Sequence, residues 1–316
     1  MKLLSIKNIV NFIILVVVIY TALIFFGDYQ KIFDQLKLLN VWVIPIVMFF
    51  AWSDDFLRFF KWDYFLRRLN IKIERKMSFL IFFSGLSMSI TPGKVGEVLK
   101  SYLLKKSNKV KMRKSISVVV FERLTDILGL AILAMIGAFT FVNSLYFLAL
   151  IMVLIISMIS ALGLLSSKRL FYKASKLLIK MPVVKNYVKY IDNIYKNSRQ
   201  LLSPKILFLS TLLSVFSWSL ECIGFYILLY SLGSPLSFTI VMFIFSFSSI
   251  FGSVIFLPGG LGAAESSFVA LLVLSGLTLA TASLATILIR LCTLFWGIFL
   301  GIVCFYLTNR IIEKSK

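Results

Sequence analysis

From Ile127 to Ser167 the chain runs without a charged side chain, and residues 8–27, 222–264, 266–289 and 291–309 are equally uncharged and mostly apolar. About 20 such residues cross the roughly 30 Å hydrocarbon core of a bilayer, so 127–167 and 222–264 are each long enough for two passes. Composition agrees: 60% hydrophobic residues, 31 Phe and a mean hydropathy of +0.97 leave too little polar surface to close a water-soluble globule of 316 residues. The expected fold class is an all-α polytopic membrane protein, one membrane domain over 1–316.

A formal net charge of +21 would suggest nucleic acid in a soluble protein. Here the bases lie between apolar stretches, the pattern of cytoplasmic loops, and no nucleic-acid partner is expected. Residues 94–114 carry Lys94, Lys100, Lys105, Lys106, Lys109, Lys111, Arg113 and Lys114 against Glu97 alone, and 168–205 carry ten bases against Asp192. Residues 28–37 are balanced, while 140–146 and 231–237 hold no charge, so these should face outside. Lys2 and Lys7 precede a stretch too long for a signal-peptide core and lacking a small-x-small cleavage site, which predicts an uncleaved first helix. The expected location is the cell (plasma or inner) membrane, with both termini cytoplasmic.

These orientations predict spans at about 8–27, 39–60, 115–139, 145–166, 206–230 and 282–308. Between them, 77–104 and 238–277 are interrupted by Pro92-Gly93 and Pro258-Gly259-Gly260 and should form re-entrant hairpins. The arms of the second are long enough to cross fully, so six spans plus two hairpins and eight spans both stand. The connector 168–205 places Leu170, Phe171, Ala174, Leu177 and Leu178 at helical spacing among lysines. It reads either as helices recruiting anionic inner-leaflet lipids or as an ordinary positive-inside loop.

The chain also repeats itself. Trp52, Ser53 and Asp55 recur 166 positions on as Trp218, Ser219 and Glu221, and Thr91-Pro92-Gly93-Lys94-Val95-Gly96-Glu97 recurs as Leu257-Pro258-Gly259-Gly260-Leu261-Gly262. An arginine follows each proline at nearly equal distance, Arg123 and Arg290. Three crossings per half turn the second copy upside down, giving two inverted-topology repeats: 1–140 first, then 141–167 as the span opening the second half, the connector 168–205, and 206–316. Duplicated apolar halves with matching breaks point to transport at the repeat interface.

The candidate site follows from the breaks. Unpaired backbone is tolerated at membrane depth only where it is buried in protein or lines a wet cavity. Helices starting near Gly96 and Gly262 would offer N–H groups and a partial positive charge to a phosphate or carboxylate; the alternative is a pair of simple kinks with Glu97 and Glu265 capping the next turn. Arg123 and Arg290 lie inside spans, where an unpaired arginine costs about 2.5–3.5 kcal/mol. Asp55 is the expected partner of Arg123, with Asp126 also in reach at i,i+3, and Glu221 that of Arg290. The arginines read either as headgroup ligands, suited to bidentate phosphate contact, or as structural ion pairs. Asp54-Asp55 does not make a metal site, since adjacent helical residues diverge and no third ligand is evident. With no His, and Cys222, Cys292 and Cys304 all within apolar spans, disulfides, zinc and cofactors are not expected.

Thr91-Pro92-Gly93-Lys94-Val95-Gly96-Glu97, Phe121-Glu122-Arg123-Leu124-Thr125-Asp126 and Pro258-Gly259-Gly260-Leu261-Gly262-Ala263-Ala264-Glu265 resemble the lysylphosphatidylglycerol synthase transmembrane region, or flippase-like domain. Arg290, Trp296-Gly297 and Leu57-Arg58 with Trp62 fit the same pattern. The resemblance implies movement of lipids with charged or glycosylated headgroups between leaflets, alongside a glycosyltransferase or lipid synthase in some members. A member without the soluble synthase domain is expected, so synthase activity is not carried over. The combined expectation is a non-enzymatic flippase for an anionic phospholipid or polyprenyl-phosphate-linked glycan. The alternative is a membrane subunit or intramembrane enzyme of lipid modification or glycosyl transfer.

Overall fold

The computed structural model describes residues 28–89, 91, 96–139, 199–255 and 257–314, with 18, 20, 21, 156, 163, 167, 169, 170, 172, 173, 195 and 197 besides. Most of the expected spans 8–27 and 145–166, and most of the connector 168–205, lie outside the described residues, as do Pro92, Gly93 and Lys94. The described residues are helical, with no strand among them. The order is α1 (Tyr29–Leu38), α2 (Val43–Arg68), α3 (Arg75–Leu86), α4 (Leu99–Asn108), α5 (Met112–Ala138), α6 (Pro204–Ser231), α7 (Phe238–Val254), α8 (Ala263–Leu274), α9 (Leu279–Arg290) and α10 (Trp296–Lys314). A π-helical turn, Leu291–Phe295, joins α9 to α10, so Leu279–Lys314 runs as one 36-residue helix.

Local chemistry sets these boundaries. Ser203, Ser237 and Thr278 each accept a hydrogen bond from a first-turn amide of α6, α7 and α9, and Pro204 occupies the position in α6 where a missing N–H costs nothing. The expected loop 28–37 is instead the amphipathic α1, which lies on α9 through buried Ile32 and a 2.7 Å bond from Gln35 to Thr281. The second expected span ends at about 60. The structure carries α2 on to Arg68, because its charges find partners inside the bundle.

The second-half helices follow the first-half order at close to the sequence offset: α2, α3, α4 and α5 correspond to α6, α7, α8 and α9–α10. The packing is reciprocal. α5 runs along α7, α10 runs along α3, and α2 packs on its own counterpart α6. Small residues permit close approach: a Cβ on Gly129 of α5 would meet Ser214 of α6 at 2.7 Å, one on Gly137 would meet the Thr239 carbonyl of α7 at 2.5 Å, and one on Gly301 of α10 would strike the Ser87 backbone after α3. Apolar side chains fill two clusters, one around Phe225, Phe243 and Phe268, the other around Trp62, Phe65, Phe82 and Phe121. Phe208, Phe216, Phe299 and Tyr306 point away from the bundle, as expected of a surface solvated by lipid.

Candidate functional site

A cleft lies where the two halves meet. From the first half it is lined by Asp55 and Arg58 of α2 and by Ser89 and Thr91 at the first break. From the second half come Trp218 and Glu221 of α6, Ser249 and Ser253 of α7, Gly259 and Gly260 at the second break, and Arg290, Thr293 and Gly297. The landmark acids of the repeat, Asp55 and Glu221, thus face one space. So do the flanks of both Pro-Gly breaks.

The second break turns on its glycines. Gly259, Gly260 and Gly262 all have positive φ, and a Cβ on Gly260 would lie 2.6 Å from the Gly252 carbonyl oxygen, so the chain turns here only because the residues are glycine. The Gly262 N–H donates to Glu265 Oε2 at 2.8 Å, which caps α8. The other carboxylate oxygen accepts from Arg290 Nε at 2.7 Å, and Arg290 Nη2 donates to the Gly259 carbonyl at 2.9 Å. One arginine therefore ties the break to the helix it precedes while its edge faces the cleft.

The first half is built around a buried charge cluster. Arg58 lies 3.5 Å from Asp54, 3.4 Å from Asp55 and 3.3 Å from Asp126, with its guanidinium carbon 5.1 Å from the Trp218 ring centre. Lys61 is bonded to Asp126 and to Ser214 of α6. Lys100, at the start of α4, sits between Glu122 at 2.8 Å and Glu97 at 3.1 Å, over the rings of Trp62 and Phe82. Arg123 contacts Glu97 at 3.1 Å, Asp126 at 3.2 Å and Glu122 at 3.5 Å. Arg58, Lys100 and Arg123 are each spread over two or three carboxylates and Lys61 is held by one, so every one of these buried ions has a counter-ion within about 3.5 Å.

Several expectations are corrected by this geometry. Arg123 is paired with Asp126, as its spacing allowed, and with Glu97, but Asp55 lies against Arg58 instead. The ion pair of Arg290 is with Glu265, 25 residues away, whereas Glu221 lines the cleft beside it. One amide after each break is already bonded within the chain: Gly96 N–H donates to Thr91 Oγ1 at 2.7 Å and Gly262 N–H to Glu265. Glu265 caps its helix and holds Arg290 at once. Glu97, buried, is an ion-pair hub. Lys100, counted among the cytoplasmic-loop bases, is buried. Arg58, Lys61, Lys100 and Glu122 were missed as interior charges; the available signal was the i,i+3 and i,i+4 spacing of Asp54, Asp55 and Arg58, and of Glu97 and Lys100.

The family described as the lysylphosphatidylglycerol synthase TM region matches residues 13–301. Similar proteins include a UPF0104 membrane protein of Methanocaldococcus jannaschii, 27% identical over 236 residues, 72% of this chain and 96% of that protein. Two UPF0104 membrane proteins of Methanothermobacter thermautotrophicus are also similar. One is 23% identical over 290 residues (86% of this chain, 85% of that protein), the other 24% over 262 residues (75% and 77%).

Proposed function

This chain belongs to the family of the lysylphosphatidylglycerol synthase TM region, and on that premise we propose that it carries a lipid with an anionic headgroup between leaflets through the central cleft. The cargo is an anionic phospholipid or a polyprenyl-phosphate-linked glycan. The observation that carries this reading is one cleft receiving the flanks of both breaks together with a guanidinium from each half, Arg58 and Arg290. A headgroup phosphate suits two such forks, while acyl or prenyl chains remain in lipid.

The element lengths support hairpins that enter and leave on one side. α3, α4 and α8 have 12, 10 and 12 residues, about 15–18 Å at 1.5 Å per residue, well short of a span. Reciprocal packing of α5 on α7 and α10 on α3 is what a two-fold axis gives, and an odd number of crossings per half would lay that axis in the membrane plane. Alternate opening of the two sides of the cleft then passes the headgroup across.

Leaflet exchange of labelled phosphatidylglycerol and of a labelled polyprenyl phosphate, in vesicles with and without the protein, tests the reading. Transport is expected without a change in lipid mass; a new lipid species would support the enzymatic alternative. Arg290→Lys keeps the charge but loses the fork, and Arg58→Gln removes the other guanidinium. Each is expected to slow exchange by about one to two orders of magnitude, the worth of a charge-assisted hydrogen bond. Unchanged exchange in both variants, correctly inserted, would overturn the headgroup role.

A further inference from the structure

We propose that Asp54 is a proton-binding site coupled to the cleft: each anionic headgroup that draws Arg58 toward it obliges Asp54 to take up one proton, so anion and proton travel together. This rests on the cleft binding an anion, and goes beyond it in naming the co-transported ion.

The argument starts from how loosely Arg58 is held. Its contacts to Asp54, Asp55 and Asp126 are 3.3–3.5 Å, long for charged hydrogen bonds, and its buried Nε has no hydrogen-bond partner among the described residues. A phosphate oxygen at the usual charge-assisted distance of about 2.7–2.9 Å competes well against three distant carboxylates.

The three acids then differ in what remains to them. Asp126 keeps Lys61, the Ser214 hydroxyl and Arg123. Asp55 lines the cleft and reaches water there. Asp54 is fully buried, Arg58 is its one cation at ion-pair distance among the described residues, and its remaining support is the Ser217 hydroxyl, which also donates to the Ser214 carbonyl at 3.1 Å. Other groups act on it from three helices: Lys61 of α2, committed to Asp126, then Asp126 of α5, and on α6 the Ser217 hydroxyl and the Cys222 thiol, while Asp55 and Glu122 act on Arg58. A carboxylate left in that position without its cation is held only as the neutral acid.

Charge balances in the step. One negative charge enters with the phosphodiester and one positive charge enters as the proton, so the occupied site has the net charge of the empty one and no additional charge is carried through the low-dielectric interior. The proton comes from the side to which the cleft is open and leaves with the anion on the other.

The test uses the full chain purified in detergent at low buffer strength, titrated with dimethyl phosphate, a phosphodiester monoanion that does not itself titrate near neutral pH. Departure of Arg58 from the Trp218 ring is read as a fluorescence change absent from Trp218→Phe, and proton uptake is read with a pH dye. The wild-type protein should take up about one proton per anion bound, by linkage. Asp54→Asn, which mimics the neutral acid, should bind the anion with no proton uptake. Binding by wild type without uptake would overturn the coupling and leave the transport reading standing. Absence of any binding would overturn both.

Discussion

Replacing Lys100 by methionine should unlock the segment after the first break. The ammonium is 2.8 Å from Glu122 and 3.1 Å from Glu97, both carboxylates are buried, and it sits 5.0 and 4.9 Å from the ring centres of Trp62 and Phe82. Methionine keeps most of the stem volume and loses the charge. Arg123, 3.1 Å from Glu97 and 3.5 Å from Glu122, is then the remaining cation at ion-pair distance from either acid among the described residues. Breaking a buried pair this way costs about 3–5 kcal/mol, most of it the burden of a carboxylate left without its partner. At about 2 °C per kcal/mol for a chain of this size, the unfolding midpoint in detergent should fall by roughly 6–10 °C. The control is Lys100→Met with Glu122→Gln, which removes both ends of the closer pair and should recover about 0.5–3 kcal/mol as a double-mutant coupling. A Lys100→Met midpoint within 1 °C of wild type, or a double variant no better than the sum of the singles, would refute the claim that this knot holds α4 to α5.

Gly85→Ala places a Cβ 2.6 Å from Lys100 Cγ and should cost about 1–3 kcal/mol by overpacking; combined with Lys100→Met the two losses should not add, because they share one side chain. Gly260→Ala brings its Cβ to 2.6 Å from the Gly252 carbonyl oxygen, a backbone atom, with φ at +67°, and should destabilise by about 2–4 kcal/mol and abolish leaflet exchange. Thr278→Ala removes the cap that accepts from Thr281 N–H and should lower stability by about 1 kcal/mol in the same melts. Asp28 is exposed, and its hydrogen bond to Lys31 holds its carboxyl below the usual range. Because the folded value is the lower one, the contribution is present above about pH 4 and fades as pH falls through the folded value. Asp28→Asn should therefore lower the melting point slightly and by the same amount between about pH 5 and 8, the difference from wild type closing as pH falls below about 4.

Much of the helical frame was legible in the chain because it depends on local quantities. Apolar length placed α5, α6 and the Leu279–Lys314 helix to within a few residues, and the two Pro-Gly breaks located the interruptions between α3 and α4 and between α7 and α8. The repeat at one fixed offset singled out Asp55 and Glu221, but as partners of Arg123 and Arg290; that both line one cleft came from the packing.

What the sequence determined alone was an all-helical membrane protein with duplicated, interrupted segments, since hydropathy, helix breakers and self-similarity are written along the chain. The tertiary structure decided which charges go inside and whom they meet. Lys100 reads as one base among the lysines and arginine of residues 94–114, and becomes an interior cation only because Glu122, 22 residues on, is brought against it. Lys61 is likewise held by Asp126 and Ser214, 65 and 153 residues away. An ionised side chain tolerates burial only beside a counter-ion, and that counter-ion is supplied by helix packing. The same packing put Arg58 in the cleft and committed Arg123 to Glu97 and Asp126.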